Sequence, residues 1–310
     1  MSNILVFSEN RELLCEMLGK ACELASDNQG VVASGWDSDE EYAKFGADKS
    51  YIFDKLSESG RVEDVVPCLK EIVSREDASI ILIGATKRGK EIAARIAAAK
   101  DAVCITDCKE IGREGSTVEV QRMVYGGMAL KVEKIERFPL VVTVLPRMFA
   151  KKELQKDIRS EAMSIPTDSK INLIERKTSC IQVVDVEAAD RVVVVGRGFE
   201  KKEDLSMAQE LADVIGGVLA CTRPIAEDYR WMPEGVYVGL TGKSSKGKLN
   251  ISLGASGQIH YVAGIVDANV TVAIDANEQA PIWNATDYGI VGDLYSILPE
   301  LIAEIKKNKI

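Results

Sequence analysis

The chain has 310 residues, 46% of them apolar and 28% charged, which suits two globular domains with separate cores and argues against a disordered or fibrous protein. A net charge of -9 and a pI near 5.0 leave no basic stripe for a phosphate backbone, so nucleic acid is not an expected partner. No basic leader, cleavage site or apolar run of membrane-spanning length is present, and the expected location is cytoplasmic.

The first strand-like run is Ile4, Leu5, Val6 and Phe7. Residues 12–25 follow with Leu13, Leu14, Met17, Leu18, Cys22 and Leu24 at helical spacing, and residues 31–34 are apolar again. Further strands are expected at 51–53, 79–83 and 141–144, with helices at 65–75 and 90–99 between them. This alternation predicts a mainly parallel sheet with helices on both faces. Seven cysteines, at 15, 22, 68, 104, 108, 180 and 221, are an odd and scattered set that reads as reduced thiols. Cys104 and Cys108 lie four apart without a second pair of ligands nearby, so no metal is expected there.

Residues 1–150 therefore read as one α/β domain. A charge-rich stretch, Lys151 to Asp157, and the polar residues around Pro166, Thr167 and Asp168 then suggest a linker over 151–188. Within it, residues 179–186 have the composition of one strand.

The third segment, 189–310, opens on Val192, Val193, Val194 and Val195, the pattern of a strand buried on both faces. A helix is expected at 203–215, strands at 218–221, 237–240, 249–253 and 270–274, and a closing amphipathic helix at 296–307. Five stretches in this segment carry chemistry. Gly196, Arg197 and Gly198 join a buried strand to a helix, a turn whose N–H groups can face an anion, although any such connection favours glycine. Thr222 and Arg223 follow a short strand, where a fixed planar cation suits a phosphate or an electron-rich ring, or makes an ordinary surface ion pair. Val238, Gly239, Leu240 and Thr241 form the third stretch. Gly254, Ala255, Ser256, Gly257, Gln258, Ile259, His260 and Tyr261 form the fourth, a second bend of the kind that takes a pyrophosphate. The fifth holds Asp275 and, further on, Asp293 and Leu294; an acidic residue at a strand end accepts from a ribose hydroxyl, or serves as a cap or turn.

In this order and spacing the five stretches resemble the C-terminal domain of electron-transfer flavoprotein alpha subunits, where GRG, SR, VGQTGK, GISGAIQH, AINKDPEAPIF and ADYGIVGDL recur. The resemblance extends to the first half, where Gly84 to Ala97, Thr106-Asp107 and Val142 to Phe149 are similar to segments of the same family. It implies two α/β domains, the second an FAD-binding doubly wound, Rossmann-like sheet. It implies that Arg197, Thr222, Arg223, residues 238–241, residues 256–261, Asp275, Asp293 and Leu294 line the flavin site, with Arg223 over the ring system. It also implies a heterodimer with a beta subunit and electron exchange with partner flavoproteins, from a dehydrogenase or the partner's flavin to an acceptor such as a membrane quinone reductase. Two alternatives stand beside the carrier: the alpha subunit of an electron-bifurcating, NADH-oxidising complex, and a nucleotide-binding scaffold that has lost flavin.

Leu240 stands where the family has Gln, Thr222 where it has Ser and Asp275 where it has Asn. His260-Tyr261 stands where the family has Gln-His, its histidine lying near the pyrimidine edge of the flavin. A tyrosine hydroxyl donates a hydrogen bond but carries no positive charge, so weaker stabilisation of the one-electron-reduced, anionic flavin is expected. His260, the one histidine of the chain, takes over only if the local helix is rotated. Asp275 adds a negative charge and removes two donors. No Ser-His-Asp or Cys-His arrangement is expected, which argues against hydrolase chemistry.

Overall fold

In a computed structural model, described over residues 2–56, 60–166, 171, 173–175 and 184–308, the apolar runs become the strands of two mainly parallel sheets flanked by helices. The chain divides into a unit of Met1–Val124 with Leu130–Lys177 and a unit of Tyr125–Ala129 with Thr178–Ile310.

The first unit runs β1 (Ile4–Phe7), α1 (Arg11–Leu24), β2 (Val31–Gly35), α2 (Asp39–Lys44), β3 (Lys49–Phe53), α3 (Val66–Arg75), β4 (Ile80–Gly84) and α4 (Lys87–Lys100). It continues with β5 (Val103–Glu114), β6 (Thr117–Val124), β7 (Ala129–Ile135), β8 (Leu140–Val144) and β9 (Arg159–Met163). The sheet order is β7-β6-β5-β8-β4-β1-β2-β3-β9. Strand β1 lies in the interior of the sheet and pairs in parallel with β2 and β4, placing Ile4 opposite Val31 and Ile80. Its residues alternate between two cores, as the pleat demands: Ile4 and Val6 pack with Leu14 and Met17 of α1, and Leu5 and Phe7 with Leu69 and Ile72 of α3. Helices α1 and α4 start where Asn10 and Thr86 accept from the N–H groups of Leu13 and Gly89 at 3.1 and 2.8 Å.

Two departures from the sequence expectations stand out. Residues 103–135 form β5, β6 and β7, with β5 and β6 antiparallel, so the sheet carries an antiparallel extension. The segment expected to be a linker contains β9, which pairs with β3 and puts Glu161 opposite Tyr51. Its residues are half-buried or exposed, as an edge strand allows, and so show no apolar run. The strand expected over 179–186 lies mostly outside the described residues; Val184 and Asp185 belong to no strand and Val186 sits in a turn.

The second unit runs β10 (Arg191–Val195), α5 (Leu205–Val214), β11 (Val218–Thr222), α6 (Arg223–Glu227), β12 (Tyr237–Val238), β13 (Leu249–Leu253), α7 (Ile259–Val262), β14 (Thr271–Asp275), β15 (Tyr288–Val291) and α8 (Leu294–Asn308). The order β12-β11-β10-β13-β14-β15 is parallel throughout and reverses direction between β10 and β13. In an open α/β sheet that reversal leaves a crevice at the carboxyl ends of the strands. The valines of β10 are fully buried, as a central strand covered on both faces requires. Strand β12 has only two residues, because Gly239 leaves it at φ 151°.

Candidate cofactor site

A cavity of about 450 Å³ opens at the carboxyl ends of the second sheet, and five consecutive strands of the sheet order contribute to it. Arg197 comes from the turn after β10, Thr222 and Arg223 from the end of β11, and Val238, Gly239, Leu240 and Thr241 from β12 and its bend. Ser256, Gly257, Gln258, His260 and Tyr261 come from the bend after β13 and from α7, and Asp275 from the end of β14. Ile259, Asp293 and Leu294 lie off this cavity. Ile259 points to solvent, Asp293 accepts from the N–H and hydroxyl of Ser296 at 3.0 and 2.8 Å at the start of α8, and Leu294 packs behind Gly198 and Gly254. Gly198, Gly254 and Ala255 of the two glycine bends also line it, as do Pro224 and Tyr237, which flank Arg223 and Val238 in the sequence.

The glycine-arginine-glycine turn works differently from the sequence expectation. The N–H groups of Gly196 and Gly198 donate to the carbonyls of Leu253 and Gly254 at 2.8 and 2.9 Å, so they tie β10 to β13 and do not face a ligand. A Cβ on Gly196 would overlap the carbonyl of Gly254, so glycine is needed here for the close approach of two chains. From this turn Arg197 and Gly198 line the cavity. The amides left without a partner belong to the second bend: among the described residues, no intrachain hydrogen bond involves the N–H groups of Ala255, Ser256 or Gly257. Gly257 has φ 82°, and a Cβ there would run into the backbone of Ile282. The helix expected after this bend is short, a single turn over Ile259–Val262.

His260 and Tyr261 part company. His260 is exposed and lines the cavity, and its carbonyl accepts from the N–H of Leu240 at 2.7 Å, bracing one rim against the other. Tyr261 is 7% exposed, and its hydroxyl lies 2.6 Å from the Oγ of Ser252, which in turn accepts from the Nδ2 of Asn250 at 3.1 Å. Asn250 and Ser252 are two apart on β13 and share a face of the strand, which explains two polar side chains in the sheet interior. Burial pushes the Tyr261 phenol up to about 12, so it stays neutral at physiological pH. The hydrogen bond that the sequence assigned to a ligand edge is therefore taken up by the protein's own core.

The cavity carries two guanidinium groups, Arg197 and Arg223, and one carboxylate, Asp275. The Oδ1 of Asp275 accepts from the N–H of Asn277 at 2.9 Å, so the residue shapes the turn after β14 while facing the cavity. The Nε of Arg223 donates to the Oε2 of Glu227 at 2.6 Å. That hydrogen bond and the adjacent negative charge hold Arg223 firmly protonated. The hydroxyl of Tyr237 donates to the carbonyl of Thr241 at 3.0 Å and fixes the β12 bend. Among the described residues no cluster of His, Cys, Asp and Glu could hold a metal ion, and no helix is long and apolar enough to cross a membrane.

Residues 6–169 match the family described as Electron transfer flavoprotein domain, and residues 185–266 match the Electron transfer flavoprotein FAD-binding domain. The chain is 31% identical over 316 residues to YdiR of Escherichia coli K12, named as a candidate electron transfer flavoprotein subunit, with 99% of each chain covered. It is 30% identical over 310 residues to the protein FixB of Salmonella typhimurium LT2, again with 99% of each covered. The electron transfer flavoprotein subunit alpha of Thermoanaerobacterium thermosaccharolyticum is 33% identical over 328 residues, covering 99% of this chain and 98% of the relative.

Proposed function

The chain belongs to the alpha-subunit family of electron transfer flavoproteins, an FAD-binding family of electron carriers, and we propose that its FAD lies across the carboxyl ends of β10 to β14 in the second unit. The observation that carries this reading is the coincidence of the one reversal in the second sheet's order with a cavity that holds two arginines and a glycine bend with uncommitted amides.

The residues fit the group. Bound FAD supplies the redox chemistry, accepting and releasing electrons on its ring system. The amides of residues 255–257 and the hydroxyl of Ser256 are placed to donate to a pyrophosphate, and Arg197 supplies charge beside them. Arg223 presents a fixed cation that favours a ring gaining negative charge. Asp275 supplies an acceptor for a ribose hydroxyl. Val238 and Leu240 give the cavity an apolar wall on one side. With so open and furnished a cavity, the reading as a scaffold without flavin loses its footing.

The finer reading is a heterodimer with a beta subunit of related fold, in which the first unit is the docking scaffold. Electrons then enter from a dehydrogenase or the partner's flavin and leave to a quinone reductase or another flavoenzyme. A cytoplasmic location is part of this reading, and free thiols at Cys15, Cys22, Cys68, Cys104, Cys108 and Cys221 fit a reducing compartment.

The test is the visible absorption spectrum of the purified protein, taken before and after reduction by dithionite. We expect an oxidised-flavin spectrum that bleaches and returns on reoxidation, at one FAD per chain in the second unit. A colourless protein that takes up no FAD on reconstitution overturns the reading.

A further inference from the structure

Helix α6 is anchored by Ile225 and Ala226, which are 0% and 2% exposed, so its outer face is fixed. Arg223 and Glu227, four residues apart, share that face at the end of β11. Glu227 engages Nε, the side edge of the guanidinium, and among the described residues no other group binds Arg223. The two terminal amino groups are left for whatever occupies the cavity that Arg223 lines. Exposed pairs of this kind, here with 62% and 33% of the side-chain surface accessible, contribute little to stability. The consequence of this pair lies in the field it sets in the cavity. The other charges at the cavity wall are Arg197 and Asp275, and Asp228, which follows Glu227 on the exposed surface, also acts on Arg223 through its charge but more weakly than Glu227 does.

We propose that Glu227 is a positioning residue that holds the Arg223 guanidinium end-on to the cavity and partly neutralises it, and so sets the midpoint potential of the bound FAD lower than an unpaired arginine would. The inference rests on the placement of FAD argued above. A reduced flavin gains negative charge, so a stronger local cation favours it and a carboxylate beside that cation opposes it.

Removing the carboxylate while keeping its shape therefore raises the potential. Spectroelectrochemical titration of the intact FAD-loaded protein tests this with Glu227→Gln and, as a control for net charge, Asp228→Asn. We expect Glu227→Gln to favour reduced over oxidised FAD by about tenfold relative to the native protein, a size between that of a screened and a partly desolvated charge contact. For a two-electron couple that is about 30 mV upward. Asp228→Asn should move the potential by less than a third as much, and all three proteins should retain FAD.

An unchanged or lowered potential in Glu227→Gln overturns the inference, as does an equal shift in Asp228→Asn, which would reduce the effect to net charge. Loss of FAD from Glu227→Gln also overturns it, since the carboxylate would then serve binding. A native protein without FAD would instead sink the placement of the cofactor.

Discussion

The two units use one winding and reach opposite outcomes at the same place. In the first, the run β3-β2-β1-β4-β8 is flanked on both sides by further strands; in the second, β12-β11-β10-β13-β14 repeats that parallel order. Each reverses beside its first strand, at β1/β4 and at β10/β13. At the first reversal, side chains fill the gap. The hydroxyl of Thr86 donates to Glu9 at 2.5 Å, Ser8 is buried and accepts from the N–H of Asn10, and a Cβ on Gly84 would overlap the Oγ of Ser8. An internal carboxylate thus stands beside the start of α4, where a ligand's anion would otherwise go. At the second reversal, glycine meets glycine, backbone packs on backbone, and a cavity remains. Topology offers a crevice twice, and the side chains decide whether it becomes a site.

The sharpest way to break this contrast is to distort the bend that frames the second crevice. Gly257→Val forces a β-branched residue to φ 82° against Ile282 and should destabilise the second unit by roughly 3 kcal/mol or more while abolishing flavin uptake, read by urea unfolding and visible absorbance. The matching change in the first unit, Gly84→Ala, meets Ser8 and Leu13 and should cost about 1–3 kcal/mol by overpacking. Its flavin content should nonetheless equal that of the native protein, and a loss of flavin would blur the distinction between the units.

A smaller effect isolates the buried chain beneath the cavity. Tyr261→Phe leaves Ser252 and Asn250 short of a partner and should cost about 1–3 kcal/mol in chemical unfolding. FAD affinity measured by flavin fluorescence should change little, because the hydroxyl faces the core. The smallest effect belongs to the far end of the first sheet. Burial alone would raise the Glu76 carboxyl, but hydrogen bonds from Lys49 and Tyr51 at 2.8 and 2.5 Å outweigh it and bring it below the usual range. Its contribution is present above the unfolded value of about 4.3 and is lost as pH falls through the lower folded value. Glu76→Gln should flatten the acid limb of the stability curve by no more than about 1 kcal/mol, measured as denaturation midpoint against pH.

Much of this was legible from residue patterns because it rests on burial. The strand at Ile4–Phe7 and the valines of Arg191–Val195 coincide with their apolar runs, since strands covered on both faces are mostly apolar. Strands at the edges escape that rule. Tyr288–Val291 is apolar yet exposed along its length, and Arg159–Met163 is largely polar, so in neither do burial and an apolar run go together. Hydrophobic periodicity is also weak over Ala129–Ile135, where one face meets solvent. The turn at residues 196–198 looks like an anion site because glycine serves both ligand approach and chain packing, and only the partners of its N–H groups tell the two apart. The inward turn of Tyr261 depends on Ser252 and Asn250, whose hydroxyl and amide become meaningful only once β13 is placed beneath α7. Glu227 was readable in principle, four residues beyond Arg223, but only if 223–227 was known to be helical.

The most direct test of where the cofactor lies is electron density for FAD in crystals of the purified protein. The ring system should lie beside Arg223, the pyrophosphate against residues 255–257, and the space between Ser8 and Thr86 should hold protein atoms only. A flavin seated over the first unit's reversal, with the crevice between β10 and β13 vacant, would contradict the assignment of the two units outright.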